Sequence, residues 1–361
     1  MVGHVLADPG STLVDLPAII EPWSAGQVED GGLKIEDRTG ITSQSSILNL
    51  RSSLDLCAFV VSYFLMQPFT LPNWNSPEVQ EATRHLQSLS AGSSRLAAFL
   101  REYFVSSLTR IAMNLILVRR LVRPGDCYLD VGSLGIEPAL IKNEFPSCRV
   151  KALTYEGNRI GIGPEGFYET NDPQELGCVY IEPVDVERQR FPYEDNTFDL
   201  VTCFEVLEHL KYSPVPMMKE IKRVLKPEGH LILTTPNINS ARSIIKMLCG
   251  RPPQECPYFH RSLDYGIIHP KEYTLQEVQD LFSSLGFEVA ALDTVDMRQT
   301  DSIERVIVTL LSLAVALVRH LLTSATFRSG LHEKIFVVAK KGGGIVSEAP
   351  KSLFEPQFIK G

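Results

Sequence analysis

The chain has 361 residues, 44% apolar and 22% charged, with a net charge of −8. That is enough apolar sequence for one large core or two modest ones, and the acidic balance excludes non-specific nucleic-acid binding through a strongly basic surface. The 7 cysteines are odd in number, scattered and without a CxxC pair. They point to reduced thiols in a cytoplasmic protein, not to a disulfide framework or a zinc ribbon.

Residues 1–46 are rich in Gly, Pro, Asp, Ser and Thr without sustained periodicity, and read as an irregular leader. They lack the basic start and apolar run of a secretory signal. Residues 47–122 carry a helical pattern, clearest from about Ser94, where Leu96, Leu100, Phe104, Leu108, Ile111, Leu115 and Val118 form one apolar stripe. Arg95, Arg101, Arg110, Arg119 and Arg120 lie off that stripe and read as a solvated face. Two apolar runs, 56–66 and 306–318, fall short of the roughly 20 residues a membrane-spanning helix needs. The second is apolar on all sides; burial is its default reading, and contact with a membrane surface the alternative.

From residue 123 the pattern alternates. Strands are expected over 127–131, 149–155, 179–184, 198–204, 230–235, 287–294 and 334–339, with helices over 137–145, 215–225 and 275–285. Such alternation predicts an α/β domain over 123–341, built on a seven-stranded, mostly parallel sheet with helices on both faces. Residues 342–361, opened by three glycines, read as a disordered tail.

Two motifs carry chemistry. YLDVGSLGIEP (128–138) has the form of a first strand, a glycine turn and a helix start. A GxGxxG fingerprint is absent, since Gly132 and Gly135 stand alone, which disfavours a nicotinamide dehydrogenase. FDLVTCFEVLEH (198–209) passes from a buried strand into Glu205, Glu208 and His209. If a helix starts there, the spacing predicts that all three share one face, at the carboxyl end of a parallel strand where open α/β sheets place their sites.

The order of motifs over 123–293 resembles the class I, Rossmann-like S-adenosylmethionine-dependent methyltransferases. LDVGSLG is similar to their first motif, PVDVERQRFPYEDNTFDLV to their adenine-site and fourth-strand run, and RVLKPEGHLIL to their fifth strand. The resemblance implies S-adenosylmethionine as cofactor. Asp130, with the turn at Gly132 and Gly135, would hold its methionine moiety and Glu156 its ribose, although strict spacing puts Thr154 at that position. Asp185 and Val186 would meet the adenine, and Phe204 would line the pocket floor. Leu134 and Ile136 stand where the family has glycines, so a degenerate binding protein that has lost catalysis is the alternative.

EVLEH followed by His269 also resembles the ubiquinone-pathway O-methyltransferases and the small-RNA 2′-O-methyltransferases. That likeness implies that Glu205, Glu208, His209 and His269 bind Mg²⁺ or a similar divalent cation; Mn²⁺ and Zn²⁺ suit mixed nitrogen and oxygen ligands as well. A metal-free reading, with His209 as general base, stands beside it. The segment 240–269 reads as a substrate lid with Tyr258, Phe259 and Tyr265 as acceptor-lining candidates. The expected reaction is O-methylation of a small-molecule, lipid-linked or sugar acceptor, by a cytoplasmic enzyme that is peripheral to a membrane if 306–318 makes that contact.

Overall fold

The computed structural model describes residues 69–73, 75–89, 95–154, 158–163, 166–170, 172, 177–255, 269–297, 309–310, 314, 330–348 and 350–354. The leader, the lid aromatics Tyr258, Phe259 and Tyr265, the expected ribose ligand Glu156 and most of 306–318 lie outside the described residues.

Helix α1 (Pro77–Leu89) buries Val79 and Leu86. Helix α2 (Arg95–Leu121) follows, and its apolar stripe is buried from Leu108 onward. Then come β1 (Cys127–Val131), α3 (Ile136–Glu144), β2 (Arg149–Thr154), β3 (Asn158–Gly163), β4 (Gly166–Glu169), β5 (Val179–Pro183) and β6 (Phe198–Phe204). A single 3₁₀ turn, Leu207–His209, leads into α4 (Val215–Val224), β7 (Leu225–Pro236) and α5 (Ala241–Leu248). The chain closes with α6 (Leu275–Ser284), β8 (Phe287–Val295), β9 (Lys334–Lys341) and α7 (Lys351–Phe354).

β1 is buried at every position and β6 at all but Asp199, as expected of central strands covered on both faces. Helix α6 starts at a capping box: Thr274 accepts from the Glu277 backbone N–H while the Glu277 side chain accepts from that of Thr274. On α4, Met218, Ile221 and Val224 fall at helical spacing against the sheet and are buried.

The sheet has nine strands in the order β4-β3-β5-β2-β1-β6-β7-β9-β8. β5, β2, β1, β6 and β7 run parallel, while β9 is antiparallel to both β7 and β8. All seven expected strands are present, so the α/β, Rossmann-like class holds. The count is corrected from seven to nine by the β3–β4 hairpin, which pairs antiparallel with β5. Its short strands are interrupted by Gly161, Gly163 and Gly166, which erase the β-branched, alternating signature by which strands are recognised in sequence.

Residues 342–348, expected as part of a disordered tail, are instead anchored. The Lys222 ammonium donates to the carbonyls of Gly343, Gly286 and Leu285, and the Val346 and Ser347 amides donate to Ser284. Glycine composition hid this because the partners are backbone carbonyls, which no side-chain pattern reveals.

Candidate active site

After β1 the chain runs outward through β2 to β5, then crosses back to add β6 on the other flank of β1. This reversal opens a crevice at the carboxyl ends of β1 and β6, where doubly wound sheets bind ligands. Val131 pairs with Cys203, so the turn after β1 and the bend after β6 begin at the same level.

The β1 turn is shaped by packing. Gly132 and Gly135 adopt φ of 74° and 83°, a region that favours glycine. A Cβ at Gly132 would lie 2.3 Å from Val206 Cγ2, and one at Gly135 would lie 2.6 Å from Ile160 Cδ1 and 2.8 Å from Ile181 Cδ1. The glycine corner therefore touches the segment that carries His209. Leu134 is 43% exposed at the tip of the turn.

Beneath the turn lies a buried polar group. Thr202 Oγ1 donates to Asp130 Oδ1 at 2.5 Å and meets the Tyr128 hydroxyl at 2.9 Å, while Asn114 Nδ2 of α2 donates to Glu137 Oε1 at 3.3 Å. Burial, reinforced by the Glu137 charge, pushes the Asp130 carboxyl up to about 7. Asp185 serves its own loop: its Oδ1 accepts from the Glu187 amide, while its amide donates to Gln189 Oε1. Val186 is half-buried beside it, and Phe204 is buried at the end of β6.

The β6 bend corrects one expectation. No α-helix begins at Glu205. Glu205 takes a φ of 54°, its amide donates to Thr234 O, and only the 3₁₀ turn Leu207–His209 follows. A side chain in the left-handed region is uncommon and is held there by its surroundings. The three residues consequently do not share a helix face. Glu205 Oε2 sits 2.5 Å from the Lys334 ammonium and 3.8 Å from Arg110 Nε. Burial disfavours its charge, yet those cations overcome this and hold the carboxyl down at about 2. Arg110 is thereby also corrected: it is buried against Glu205 and does not belong to a solvated face.

Glu208, His209 and His269 do converge. One ligand atom from each lies within 4.8 Å of the others, and the two imidazoles stack edge-to-face with centroids 4.8 Å apart. Glu208 is buried and accepts from Thr235 Oγ1 at 3.0 Å, while its Oε1 has no hydrogen-bond partner among the described residues. Burial, and then repulsion from Glu205, hold this carboxyl well above the ordinary range. Two acids three residues apart are thus pushed in opposite directions: the cations beside Glu205 favour its charged form, while burial and the Glu205 charge disfavour that of Glu208.

Glu272 was missed in the sequence, although its i+3 spacing from His269 was the available signal. It is buried, and its Oε1 receives His269 Nδ1 at 2.7 Å. The remaining His269 nitrogen is left for other work, the arrangement in which carboxylates orient metal-binding imidazoles. Lys334 was also missed, because a lysine at the start of an apolar strand reads as a solvated flank. A separate groove of about 530 Å³ between residues 69–73 and β8 shares no residue with this cluster.

An α/β sheet with its glycine turn and acid–imidazole cluster at one carboxyl-end crevice has the layout of a Rossmann-like nucleotide-dependent transferase. Residues 110–292, about half of the chain, match the family described as "Methyltransferase domain", and the chain belongs to that family. Demethylmenaquinone methyltransferase of Bacillus cytotoxicus is 32% identical over 113 residues, covering 31% of this chain and 45% of that protein. Sterol 24-C-methyltransferase of Schizosaccharomyces pombe is 31% identical over 128 residues, 36% of this chain and 32% of its own. (+)-O-Methylkolavelool synthase of Herpetosiphon aurantiacus is 24% identical over 184 residues, 51% and 58% respectively. The chain thus spans between 32% and 58% of the length of these curated relatives.

Proposed function

We propose that the chain transfers a methyl group from S-adenosylmethionine to a hydroxyl oxygen of a small-molecule, lipid-linked or glycan acceptor. The carrying observation is that Glu208 and His209, on the segment that packs against the Gly132 turn, meet His269 from the stretch before α6. In this reading Asp130 and the turn at Gly132 and Gly135 take the methionine moiety, Asp185 and Val186 take the adenine, and Phe204 lines the floor. The crevice then sets the acceptor oxygen in line with the sulfonium. As the O–CH₃ bond forms, the C–S bond breaks, S-adenosylhomocysteine departs, and the acceptor proton passes to His209.

The cluster also fits a divalent cation. Glu208 offers a buried oxygen without a partner among the described residues, and Glu272 orients His269. Glu208, His209 and His269 would hold the ion, which when bound supplies a Lewis acid to lower the acceptor hydroxyl's pKa. Glu205 drops out of the expected ligand set, since Lys334 and Arg110 already neutralise it. A relative whose name specifies a 24-C-methyltransferase supports a second reading, in which the same base faces an enolic or alkenyl carbon.

Calorimetry with S-adenosylhomocysteine tests the cofactor; no binding at millimolar ligand favours the non-catalytic alternative. Transfer of labelled methyl to a catechol, with and without EDTA, tests the rest. Oxygen-linked label that EDTA abolishes supports the metal, oxygen-linked label that survives EDTA supports His209 as a general base without metal, and carbon-linked label overturns O-methylation.

A further inference from the structure

Lys334 opens β9 and pairs across the sheet with Pro236 on one side and Val295 on the other, which sets it at the crevice end. Its ammonium is buried between two carboxylates, 2.5 Å from Glu205 Oε2 and 2.7 Å from Glu255 Oε2. Burial works against the charge, but Glu205 and Glu255 more than offset it and hold the amine above its ordinary value. Glu205 does not need Lys334 alone, because Arg110 lies 3.8 Å from the same oxygen. The second arm is therefore the informative one.

Glu255 ends the described loop after α5 and is bound at both its ends. Its carboxylate is on Lys334, and its backbone N–H donates to Glu272 Oε1 at 2.5 Å. That oxygen also receives His269 Nδ1. A fixed charge on the sheet is thus joined through one loop residue to the carboxylate that orients the imidazole. A surface ion pair placed only for stability would not meet the site through its own backbone.

We infer that Lys334 is a positioning residue, which by pinning Glu255 holds the loop 249–255 on the crevice and so fixes Glu272 and the orientation of His269. Calling His269 part of the acceptor side rests on the function proposed above; the mechanical linkage does not. Lys334→Met is the direct variant, but it leaves a buried Glu205 with Arg110 alone and risks the fold. Glu255→Ala is the cleaner cut: the Glu255 side chain is 37% exposed, and Lys334 keeps Glu205.

The experiment follows the full-length protein by hydrogen exchange and by ¹⁵N spectra of the imidazoles, with S-adenosylhomocysteine binding alongside. In Glu255→Ala, amides of 249–255 exchange about tenfold faster or more, as a released loop does, and the His269 nitrogens shift, while Tm and S-adenosylhomocysteine affinity stay at their wild-type values. Lys334→Met gives the same faster exchange and the same imidazole shifts where it folds, at a lowered Tm, and Lys334→Arg restores both signals. Unchanged exchange and unchanged His269 nitrogens in a folded Glu255→Ala protein overturn the proposal, as does a folded Lys334→Arg that behaves like Lys334→Met. Failure of the wild type to bind S-adenosylhomocysteine would sink the methyltransferase reading and leave the linkage to be decided by the exchange data.

Discussion

The two lips of the crevice are held by different physics. On the β1 side the turn is shaped by absence: Gly132 and Gly135 leave room for Val206, Ile160 and Ile181 and for positive φ, so the geometry is steric. On the β6 side it is shaped by charge, with Glu205, Lys334, Arg110, Glu255 and Glu272 in one largely buried network, open at Glu255, around a strained residue. A steric lip fails when atoms are added, an electrostatic lip when they are removed. The difference teaches where each kind of substitution does damage, and it can be broken in five places.

The largest effect belongs to His209→Gln. With a catechol probe, methyl transfer falls by about 10²–10⁴-fold, the usual contribution of a positioned acid–base group, while S-adenosylhomocysteine binding is retained. Next is Lys334→Met, which leaves a buried carboxylate short of its closest cation; urea unfolding shows a loss of about 3–5 kcal/mol. Gly132→Ala breaks the steric lip by forcing a Cβ into Val206 at positive φ, at a cost of about 1–3 kcal/mol in unfolding and a weakened S-adenosylhomocysteine isotherm.

The fourth effect is a slope. The folded Asp130 carboxyl titrates at about 7, above its unfolded value of 3.8. The folded state therefore binds more protons between those values, and Asp130 contributes stability that is fully present below pH 3.8 and is lost as pH rises towards 7. Asp130→Asn flattens that decline by at most about 1.4 kcal/mol per pH unit, read from urea midpoints across the window. Glu205 works the other way: its contribution is present above the ordinary carboxylate range and is lost as pH falls through about 2. The smallest effect is that of Leu134→Gly, at an exposed position; S-adenosylhomocysteine affinity changes by no more than about twofold, the scale of ordinary surface substitutions.

Much of the framework was legible. β1 and β6 announce themselves as continuous apolar runs because both faces are covered, and Thr274 with Glu277 marks the start of α6. That Glu208, His209 and His269 come together was legible from motif order. Illegible were the facts that depend on which partner arrives from far along the chain. Arg110 looks like the other arginines of α2 until Glu205 meets it, and the role of Glu205 changes once Lys334, 129 residues later, reaches its oxygen. Helical spacing suggested a shared face for Glu205, Glu208 and His209, but a backbone bend at Glu205 decided otherwise, and a bend of that kind leaves no periodic trace.

The ammonium of Lys222 draws together three carbonyls, two from the corner between α6 and β8 and one from Gly343. What looks like dispensable chain beyond β9 is therefore a peg seated in the body of the domain. A version trimmed after residue 341 would strip one acceptor from a cation with little access to water, so anyone shortening this protein for crystals or assays should cut no earlier than the Ser347 amide that ties the peg down.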